Sequence, residues 1–202
     1  MTTQAGDTPS YNATQRKSAL RRELRRKRSE ISTEDARKAA LLAACHLVGS
    51  ASLRHAKHVA VYLNYGSELG TEPLIDALLR EGKQVYVPRI ASERRMRFVQ
   101  LKADTPLRLN MLNIKEPAGR LLSRRVKQFD VIVVPLLGFD GTGQRLGNGG
   151  GYYDRALAAP RPFRKPLLVG YGYELQRVAA IPSEPWDIRL NAAATEAGIY
   201  KF

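Results

Sequence analysis

Residues 130–157 combine backbone and side chains that could bind an anion. Residues 131–134 are all Val or Ile, which is typical of a strand buried on both faces of a sheet. Seven glycines follow within fourteen residues, with Arg145 among them, and helix-forming residues resume at Tyr152. Glycines let backbone N–H groups converge on a ligand, and arginine adds a forked donor for phosphate or carboxylate. A strand, a glycine-rich turn and a helix N-terminus therefore predict an anion-binding cradle.

An ordinary long turn is the alternative interpretation of this segment. So many glycines lose a large amount of chain entropy when they become ordered, which favours a functional loop. The segment matches neither of the common nucleotide-binding loops. The P-loop needs Ser or Thr after Gly-Lys, but Gly82 and Lys83 are followed by Gln84, and the dinucleotide pattern GxGxxG would need a glycine where Leu146 stands.

As it stands, residues 135–155 read P-L-L-G-F-D-x-x-G-x-R-L-G-x-G-G-G-Y-Y-D-R. This pattern resembles the signature of the 5-formyltetrahydrofolate cyclo-ligase family. Three weaker matches occur in the expected order: K-x-x-L-R around Leu20, the segment 62–75, and E-x-x-D at residues 184–187. The resemblance covers about residues 16–200.

The resemblance implies an ATP-driven enzyme that closes the formyl group of 5-formyltetrahydrofolate onto N10, giving 5,10-methenyltetrahydrofolate, ADP and phosphate. A formamide oxygen is a poor leaving group, so phosphorylating it gives an imidate phosphate that N10 can attack. Phosphoryl transfer mainly requires positioning and charge stabilisation from backbone N–H groups, basic side chains and Mg²⁺.

The resemblance also implies roles for individual residues, with Arg145 as the catalytic one. The implied ATP-binding residues are Lys17, Arg21, Gly143, Arg145, Leu146, Gly147, Asn148, Gly149, Gly150, Gly151, Tyr152 and Tyr153. The implied folate-binding residues are Leu63, Glu68, Asn148, Gly149, Gly150, Gly151, Tyr152 and Tyr153. The implied Mg²⁺ ligands are Asp154 and Asp187, because carboxylates are the hard ligands that Mg²⁺ prefers.

The residues alone leave alternatives for the acidic side chains. Asp154 is also interpretable as a helix cap or a dipole partner, and Glu68 as a solvated turn acid. Related sequences can carry basic residues where Asn148 and Gly150 stand here, so backbone N–H groups and a remote basic helix must meet part of the phosphate charge. Trp186 stands where His is frequent, which leaves the Asp187 assignment open.

The elements that would position these residues alternate between helix and strand. Helices are predicted at about 14–29, 32–48, 71–82 and 152–159, and strands at about 58–64, 83–90, 95–101, 130–135, 167–171 and 194–200, with a loop over 103–120. Ser32 and Asp35 resemble a capping box. The fold class is therefore α/β: a single three-layer domain with a largely parallel central sheet and helices on both faces. A flexible tail, 1–12, precedes a catalytic domain, 13–202, whose N-terminal helical segment is 13–50.

Ligands of open α/β sheets bind beyond the carboxyl ends of the strands. Three predicted elements follow strands: the turn at residues 64–72, the glycine loop, and residues 170–173. We therefore expect all three to contribute to one cleft.

The net charge of +14 is the strongest feature of the composition. Half of the excess lies in residues 16–28, where eight basic residues accompany one acid, Glu23. Lys17 and Arg21 lie at i and i+4 and share a helix face. Arg22, Arg25 and Arg26 are expected to be mostly solvated. ATP and a polyglutamylated folate are polyanions, so small molecules explain a basic protein.

Two other functions remain open. An RNA-binding protein could use the arginine-rich helix, but RNP-type and KH-type motifs are absent, so nucleic acid is not an expected partner. An inactive relative of the ligase is the second. The sequence has no apolar run of about eighteen residues and no secretory signal, and its one cysteine, Cys45, favours the cytosol. The expected form is a monomer in the cytoplasm that binds no membrane.

Overall fold

The computed structural model describes residues 9–92, 95–110, 113–119, 121–158 and 166–202. Its helices are α1 (Pro9–Ser29), α2 (Thr33–Val48), α3 (Ala51–Arg54), α4 (Glu72–Arg80) and α5 (Tyr152–Leu157). Its strands are β1 (His58–Ala60), β2 (Gln84–Ser92), β3 (Arg95–Leu101), β4 (Leu107–Leu109), β5 (Lys115–Pro117), β6 (Ser123–Arg124), β7 (Val131–Pro135), β8 (Gly138–Phe139), β9 (Arg145–Leu146), β10 (Leu167–Tyr171), β11 (Ala192–Thr195) and β12 (Gly198–Lys201).

Eight of these strands form one sheet in the order β12-β11-β10-β7-β1-β2-β3-β6. The five strands from β11 to β2 are parallel, whereas β12, β3 and β6 join at the edges in antiparallel orientation. The predicted α/β class with a largely parallel sheet is confirmed.

The two faces of the sheet are covered differently. On one face, α2 and α4 pack through small and branched apolar side chains, which are Ala39, Ala40, Ala43, Ala44, Leu47, Leu74, Ile75 and Leu78. The other face is covered by Leu157 of α5 together with loop residues such as Phe129 and Leu136. Alternate residues of β7 belong to the two cores, so this strand is buried on both faces, as its composition predicts.

The helix α1 lies against the β8–β9 hairpin rather than against the main sheet. Leu24 is fully buried with Leu137, Leu146 and Ile181, and Leu20 packs beside them. Leu20 and Leu24 thus form a single apolar edge that holds the helix in place. The basic residues of α1 lie outside this edge. Within the described ranges, no helix is both long and apolar enough to cross a membrane.

Several element boundaries differ from the sequence prediction. The strand predicted over 58–64 ends at Ala60, although the backbone N–H of Val61 still donates to the Tyr86 carbonyl at 2.8 Å. Residues 103–120, predicted as a loop, contain the β4–β5 hairpin. The prediction was wrong because prolines at the margins of these short strands were interpreted as strand breakers. The strand predicted over 194–200 is the β11–β12 hairpin, which turns back just before Gly198 (φ +147°). Residues 9–12 of the predicted tail form the first turn of α1, and residues 1–8 lie outside the described part.

The neighbouring strands β1 and β7 define where a ligand can bind. From β1 the chain crosses through α4 to β2 on one side, and from β7 it crosses through α5 to β10 on the other. At such a switch point the loops beyond the carboxyl ends diverge and leave a crevice. The turn after β1 begins there, and so does the segment after β7 that leads to the glycine-rich residues 147–151.

Candidate functional site

A cavity of about 960 Å³ occupies this crevice. Its charged end is lined by Lys17, Arg21, Arg145, Asp154, Glu184 and Asp187. Its central part is lined by Tyr62, Leu63, Glu68 and Tyr153. Its apolar end is lined by Pro88, Ile90, Met96 and Ile114. The volume is that of a small-molecule site.

Residues 147–151, the glycine loop, run along the charged end. Two arginines of α1 hold the loop through its carbonyl oxygens: Arg21 Nε donates to Gly147 at 2.9 Å, and Arg25 Nη2 donates to Asn148 at 2.9 Å. The φ angle of Gly149 is +103°, a conformation that residues with a Cβ rarely adopt. The backbone N–H groups of residues 148–151 have no acceptor within the described part of the chain. They are therefore available to an anionic ligand.

The predicted cradle of strand, turn and helix needs correction. Between β7 and the glycine loop, the chain first forms the β8–β9 hairpin, and α5 is a single six-residue helix. Because so short a helix has little dipole, arginines and loop N–H groups must supply the positive potential.

Gly143 does not line the cavity. It lies in the hairpin turn, where its carbonyl accepts from Leu190 N at 2.8 Å, and an added Cβ would lie 2.8 Å from the Leu190 carbonyl oxygen. The close approach of the Gly143 and Leu190 backbones explains why a glycine is needed at this position. That Gly143 contacts ATP remains only a prediction.

At the charged end, Lys17 binds two carboxylates from the C-terminal part of the chain. Its Nζ lies 2.6 Å from Asp187 Oδ2 and 3.1 Å from Glu184 Oε2. The Lys17 side chain is only 8% exposed, and these pairs compensate its buried charge.

Arg145 forms the second charged pair of this end. One terminal nitrogen donates to Asp154 and the other to the Pro135 carbonyl at 3.2 Å. Arg21 lies between the two pairs, because Asp187, Asp154 and Glu184 all act on its charge. Burial lowers the pKa of Arg21, with Arg25 as the next contributor, while these three carboxylates oppose the shift.

The two implied metal ligands are thus both paired with cations. In the described chain no group of three or more His, Cys, Asp and Glu side chains could hold a metal alone. However, Mg²⁺ is usually bound by one or two carboxylates together with substrate phosphates and water. Asp154 and Asp187 each keep one oxygen without a protein partner among the described residues, so the donor set fits such a site.

Glu68 joins the turn after β1 to the glycine loop. Its Oε2 accepts from the Tyr65 backbone N–H at 3.0 Å, and its Oε1 accepts from Asn148 Nδ2 at 3.0 Å. Burial raises the pKa of Glu68, while these two donors and Arg28 oppose the shift. Two of the three predicted elements therefore meet through a direct hydrogen bond.

Tyr153 and Leu63 flank Glu68 in the central part. The Tyr153 hydroxyl is buried without a partner among the described residues, and burial raises its pKa. An unpaired hydroxyl costs free energy, which a polar ligand atom could recover. Tyr152 lies further along the rim, with the Arg155 guanidinium 5.3 Å from its ring centre.

The third predicted element, residues 170–173, does not line the cavity. A Cβ added to Gly170 would lie 2.5 Å from Leu136, so this segment is packed too closely to admit a ligand. It instead supports the cavity wall, since Tyr62 donates its hydroxyl hydrogen to the Tyr171 carbonyl at 3.2 Å. The expectation of a cleft formed by all three elements is therefore wrong for this one.

Sequence reasoning missed two arginines of the site. Arg25 is exposed, as expected, but it also binds the glycine loop and lines the cavity. Arg28 also lines the cavity and is 8% exposed. Its Nε donates to Ser67 at 3.0 Å, and its Nη1 has no partner among the described residues. Their spacing from Lys17 and Arg21 (17, 21, 25, 28) is one helical stripe, and this signal could have identified them.

The fold and the cavity together define a class of protein: an α/β protein with a small-molecule cavity, lined by several basic side chains, at its sheet switch point. A family model described as the 5-formyltetrahydrofolate cyclo-ligase family matches residues 13–196. The chain belongs to this family of ATP-dependent ligases.

Individual relatives agree with this assignment. The chain is 36% identical over 184 residues to a 5-formyltetrahydrofolate cyclo-ligase of Escherichia coli, covering 89% of this chain and 100% of the relative. It is 31% identical over 180 residues to that of Haemophilus influenzae, covering 88% and 96%. Its structure resembles the 5,10-methenyltetrahydrofolate synthetase of Aquifex aeolicus with a TM-score of 0.79 and 29% identity over 92% of each chain. A synthetase from Mycoplasma pneumoniae, 23% identical over 89% of this chain and 98% of its own, shares the fold with a TM-score of 0.71.

Proposed function

We propose that the protein converts 5-formyltetrahydrofolate and ATP into 5,10-methenyltetrahydrofolate, ADP and phosphate. The observation that carries this proposal is the hydrogen bond between Asn148 and Glu68. It joins a loop with free backbone donors to a half-buried carboxylate that would suit a pterin. A phosphoryl donor and a folate bound at these two positions would lie next to each other.

The charged end is the proposed site of the ATP phosphates. Lys17, Arg21 and Arg145 supply positive charge, and the N–H groups of the glycine loop supply fixed donors. Such preorganised donors stabilise the charge that spreads over a transferring phosphoryl group. Arg145 is the proposed catalytic residue because its planar fork is already held by the Pro135 carbonyl.

The central part is the proposed pterin site. The pterin ring presents adjacent N–H donors, and the ionised Glu68 can accept both of them. Leu63 and Tyr153 would contact the ring, and the apolar end would cover the p-aminobenzoyl group. The formyl oxygen would then lie toward the glycine loop, where it takes the γ-phosphoryl group before N10 attacks the formyl carbon.

Asp154 and Asp187 are the proposed holders of Mg²⁺, which would neutralise phosphate charge when it is bound. The chain's own part is to hold these carboxylates in position, and their ion pairs with Arg145 and Lys17 do this in the free protein. We also propose that the chain acts as a monomer, because Lys17, Glu68, Arg145, Asp154 and Asp187 of one chain line the same cavity. The single cysteine supports a reducing compartment such as the cytosol.

The experiment is incubation with 5-formyltetrahydrofolate and MgATP, following the near-ultraviolet absorbance of the methenyl product together with phosphate release. We expect both signals in equal amounts, and loss of both when the metal is chelated. A folded protein that gives neither signal at high concentration would establish an inactive relative instead.

A further inference from the structure

We propose that Trp186 is the stacking platform for the nucleotide base, which makes the mouth of the charged end a nucleobase subsite. This inference rests on the proposed binding of ATP phosphates at that end. It adds a residue and a ligand group that the family resemblance does not assign, since His is frequent at this position.

The position of Trp186 is set by the two acids around it. Asp187 Oδ2 accepts from the Glu184 backbone N–H at 2.9 Å, and the Asp187 N–H donates to the Glu184 carbonyl at 3.0 Å. Both carboxylates also bind Lys17. Trp186 therefore projects from a tight turn that is fixed to a proposed phosphate-binding cation.

The indole is nevertheless 65% exposed while it lines the cavity. A large aromatic ring in water is an unused contact surface, and in the described structure it stacks on no other ring. Every nucleobase has a flat face that stacks on an aromatic side chain. A rigid turn with an exposed indole beside phosphate-binding cations fits a nucleotide in particular.

The other exposed aromatic residues of the cavity are less suitable for this role. Tyr65 belongs to the turn that carries Glu68, so it lies at the proposed pterin site. One face of Tyr152 is already covered by Arg155. Trp186 is thus the ring that lies free at the charged end of the described cavity.

The test uses the fact that the chain contains a single tryptophan. Its fluorescence reports on residue 186 alone, and a stacked purine quenches indole emission. We expect ATP and ADP to quench the emission saturably in the wild-type protein. Inorganic tripolyphosphate, which has no base, should displace ATP and restore the emission.

Kinetics gives a second, independent measurement. Trp186→Ala should raise the KM for ATP roughly tenfold, as expected for the loss of one stacking contact, and leave the KM for 5-formyltetrahydrofolate unchanged. Trp186→Phe should restore most of the ATP affinity. The matched control is Leu122→Ala, which removes an equally exposed apolar side chain outside the cavity.

Three results would overturn the inference while leaving the proposed function intact. The first two are normal turnover with no quenching by ATP, and an unchanged KM for ATP in Trp186→Ala. Quenching of equal size by tripolyphosphate would also overturn it, since the signal would then come from phosphate alone. Failure of the proposed function looks different, because neither turnover nor ATP binding by calorimetry would be observed.

Discussion

Lys17 and Asp187 are 170 positions apart in the sequence, yet Lys17 Nζ and Asp187 Oδ2 are 2.6 Å apart. The contact joins an implied phosphate ligand on α1 to an implied metal ligand near the C-terminus. Arg145 and Asp154 repeat the same arrangement within the charged end. Two of the three proposed phosphate-binding cations, Lys17 and Arg145, are thus each paired with a carboxylate that could bind Mg²⁺.

This arrangement predicts strong coupling between Mg²⁺ and nucleotide. Nucleotide phosphates alone must draw Lys17 or Arg145 away from its carboxylate, and Mg²⁺ alone meets carboxylates whose charge is already offset by a cation, whereas both ligands together exchange partners. We expect Mg²⁺ to raise the affinity for a non-hydrolysable ATP analogue by tenfold or more, and the analogue to raise Mg²⁺ affinity by the same factor. Calorimetry of each ligand with and without the other measures this coupling.

Lys17→Met tests the cause of the coupling. Without its cation, the Asp187 carboxylate should bind Mg²⁺ more tightly in the absence of nucleotide, while ATP binding weakens. Lys38→Met is the matched control, because Lys38 pairs with Glu34 on an exposed helix face. Equal Mg²⁺ affinity with and without nucleotide, and no change in Lys17→Met, would refute the exchange of partners.

Arg145→Ala should remove roughly 2–4 kcal/mol of transition-state stabilisation, a fall in kcat of between about thirty- and a thousand-fold. Arg145→Lys should recover little, since it keeps the charge but loses the fork. Substrate KM values and thermal denaturation, measured beside kcat, show whether the defect is catalytic. Near-normal kcat in both variants would show that Arg145 only supports the loop.

Gly149→Val should lower ATP affinity strongly. A Cβ at Gly149 would meet only Arg21 Nε, at 3.9 Å, so the side chain would enter the space proposed for phosphate. It would also strain the positive φ. Gly141→Ala is the control, because this turn glycine has open space around its Cβ and lies outside the cavity. Unchanged ATP affinity in a stable Gly149→Val protein would contradict a backbone cradle.

Glu68 and Asp154 should have separable functions. Glu68→Gln should weaken folate binding and leave nucleotide binding largely intact, whereas Asp154→Asn should raise the Mg²⁺ requirement. Titration with folic acid, which has the pterin donors but no formyl group that could cyclise in acid, isolates the first effect. The same defects in both variants would contradict the assignment.

The raised pKa of Glu68 adds a pH dependence to this binding. Burial is the main cause of the shift, and the pterin needs the ionised form, so affinity should fall as the pH drops through that pKa. The fall should begin above the ordinary glutamate value of 4.5 and be absent in Glu68→Gln. A pH profile identical in the wild type and Glu68→Gln would assign the titration to another group.

The sequence could predict the parts of this site that depend on neighbouring residues, but not the parts that depend on contacts between residues far apart in the chain. The glycine loop, Arg145 and the buried strand β7 are local patterns: β7 forms as predicted, and the loop and Arg145 line the cavity, although Arg145 lies in a short strand. The β8–β9 hairpin was missed because two-residue strands leave no periodic signal. The roles of Arg25 and Arg28 depend on which side of α1 meets the cavity. Leu24 settles this through contacts with residues more than a hundred positions away.

Arg28→Gln tests the buried arginine that the sequence left unassigned. The variant can still donate to Ser67 but removes the positive charge that opposes the rise in the Glu68 pKa. The fall in folic acid affinity at low pH, the acid limb of the binding profile, should therefore begin at a higher pH than in the wild type. The affinity for ATP should stay within about twofold of the wild-type value. Arg26→Gln is the matched control, since Arg26 pairs with Glu30 on the exposed side of α1. An unchanged limb would make Arg28 a purely structural residue.

The basic face of α1 decides between the ligase and an RNA-binding protein. Lys17 and Arg21 face the cavity, whereas Arg22 and Arg26 are exposed, and Arg26 is already paired with Glu30. Replacing Lys17 and Arg21 with Ala should therefore lower kcat/KM by more than about a hundredfold, as expected for two lost phosphate contacts. Replacing Arg22 and Arg26 should change it less than about twofold.

RNA binding would depend on the charge collectively, and its affinity would fall with salt in proportion to the phosphates contacted. The decisive measurement is an RNA titration at two salt concentrations for the wild type and both double variants, alongside turnover. We expect weak binding without sequence preference that disappears near physiological salt and weakens most in the Arg22 and Arg26 variant. Both of these cations are exposed to solvent, whereas Lys17 is buried and Arg21 binds the glycine loop. Sequence-selective RNA binding near physiological salt, together with normal turnover after loss of Lys17 and Arg21, would instead make nucleic acid the ligand of this helix.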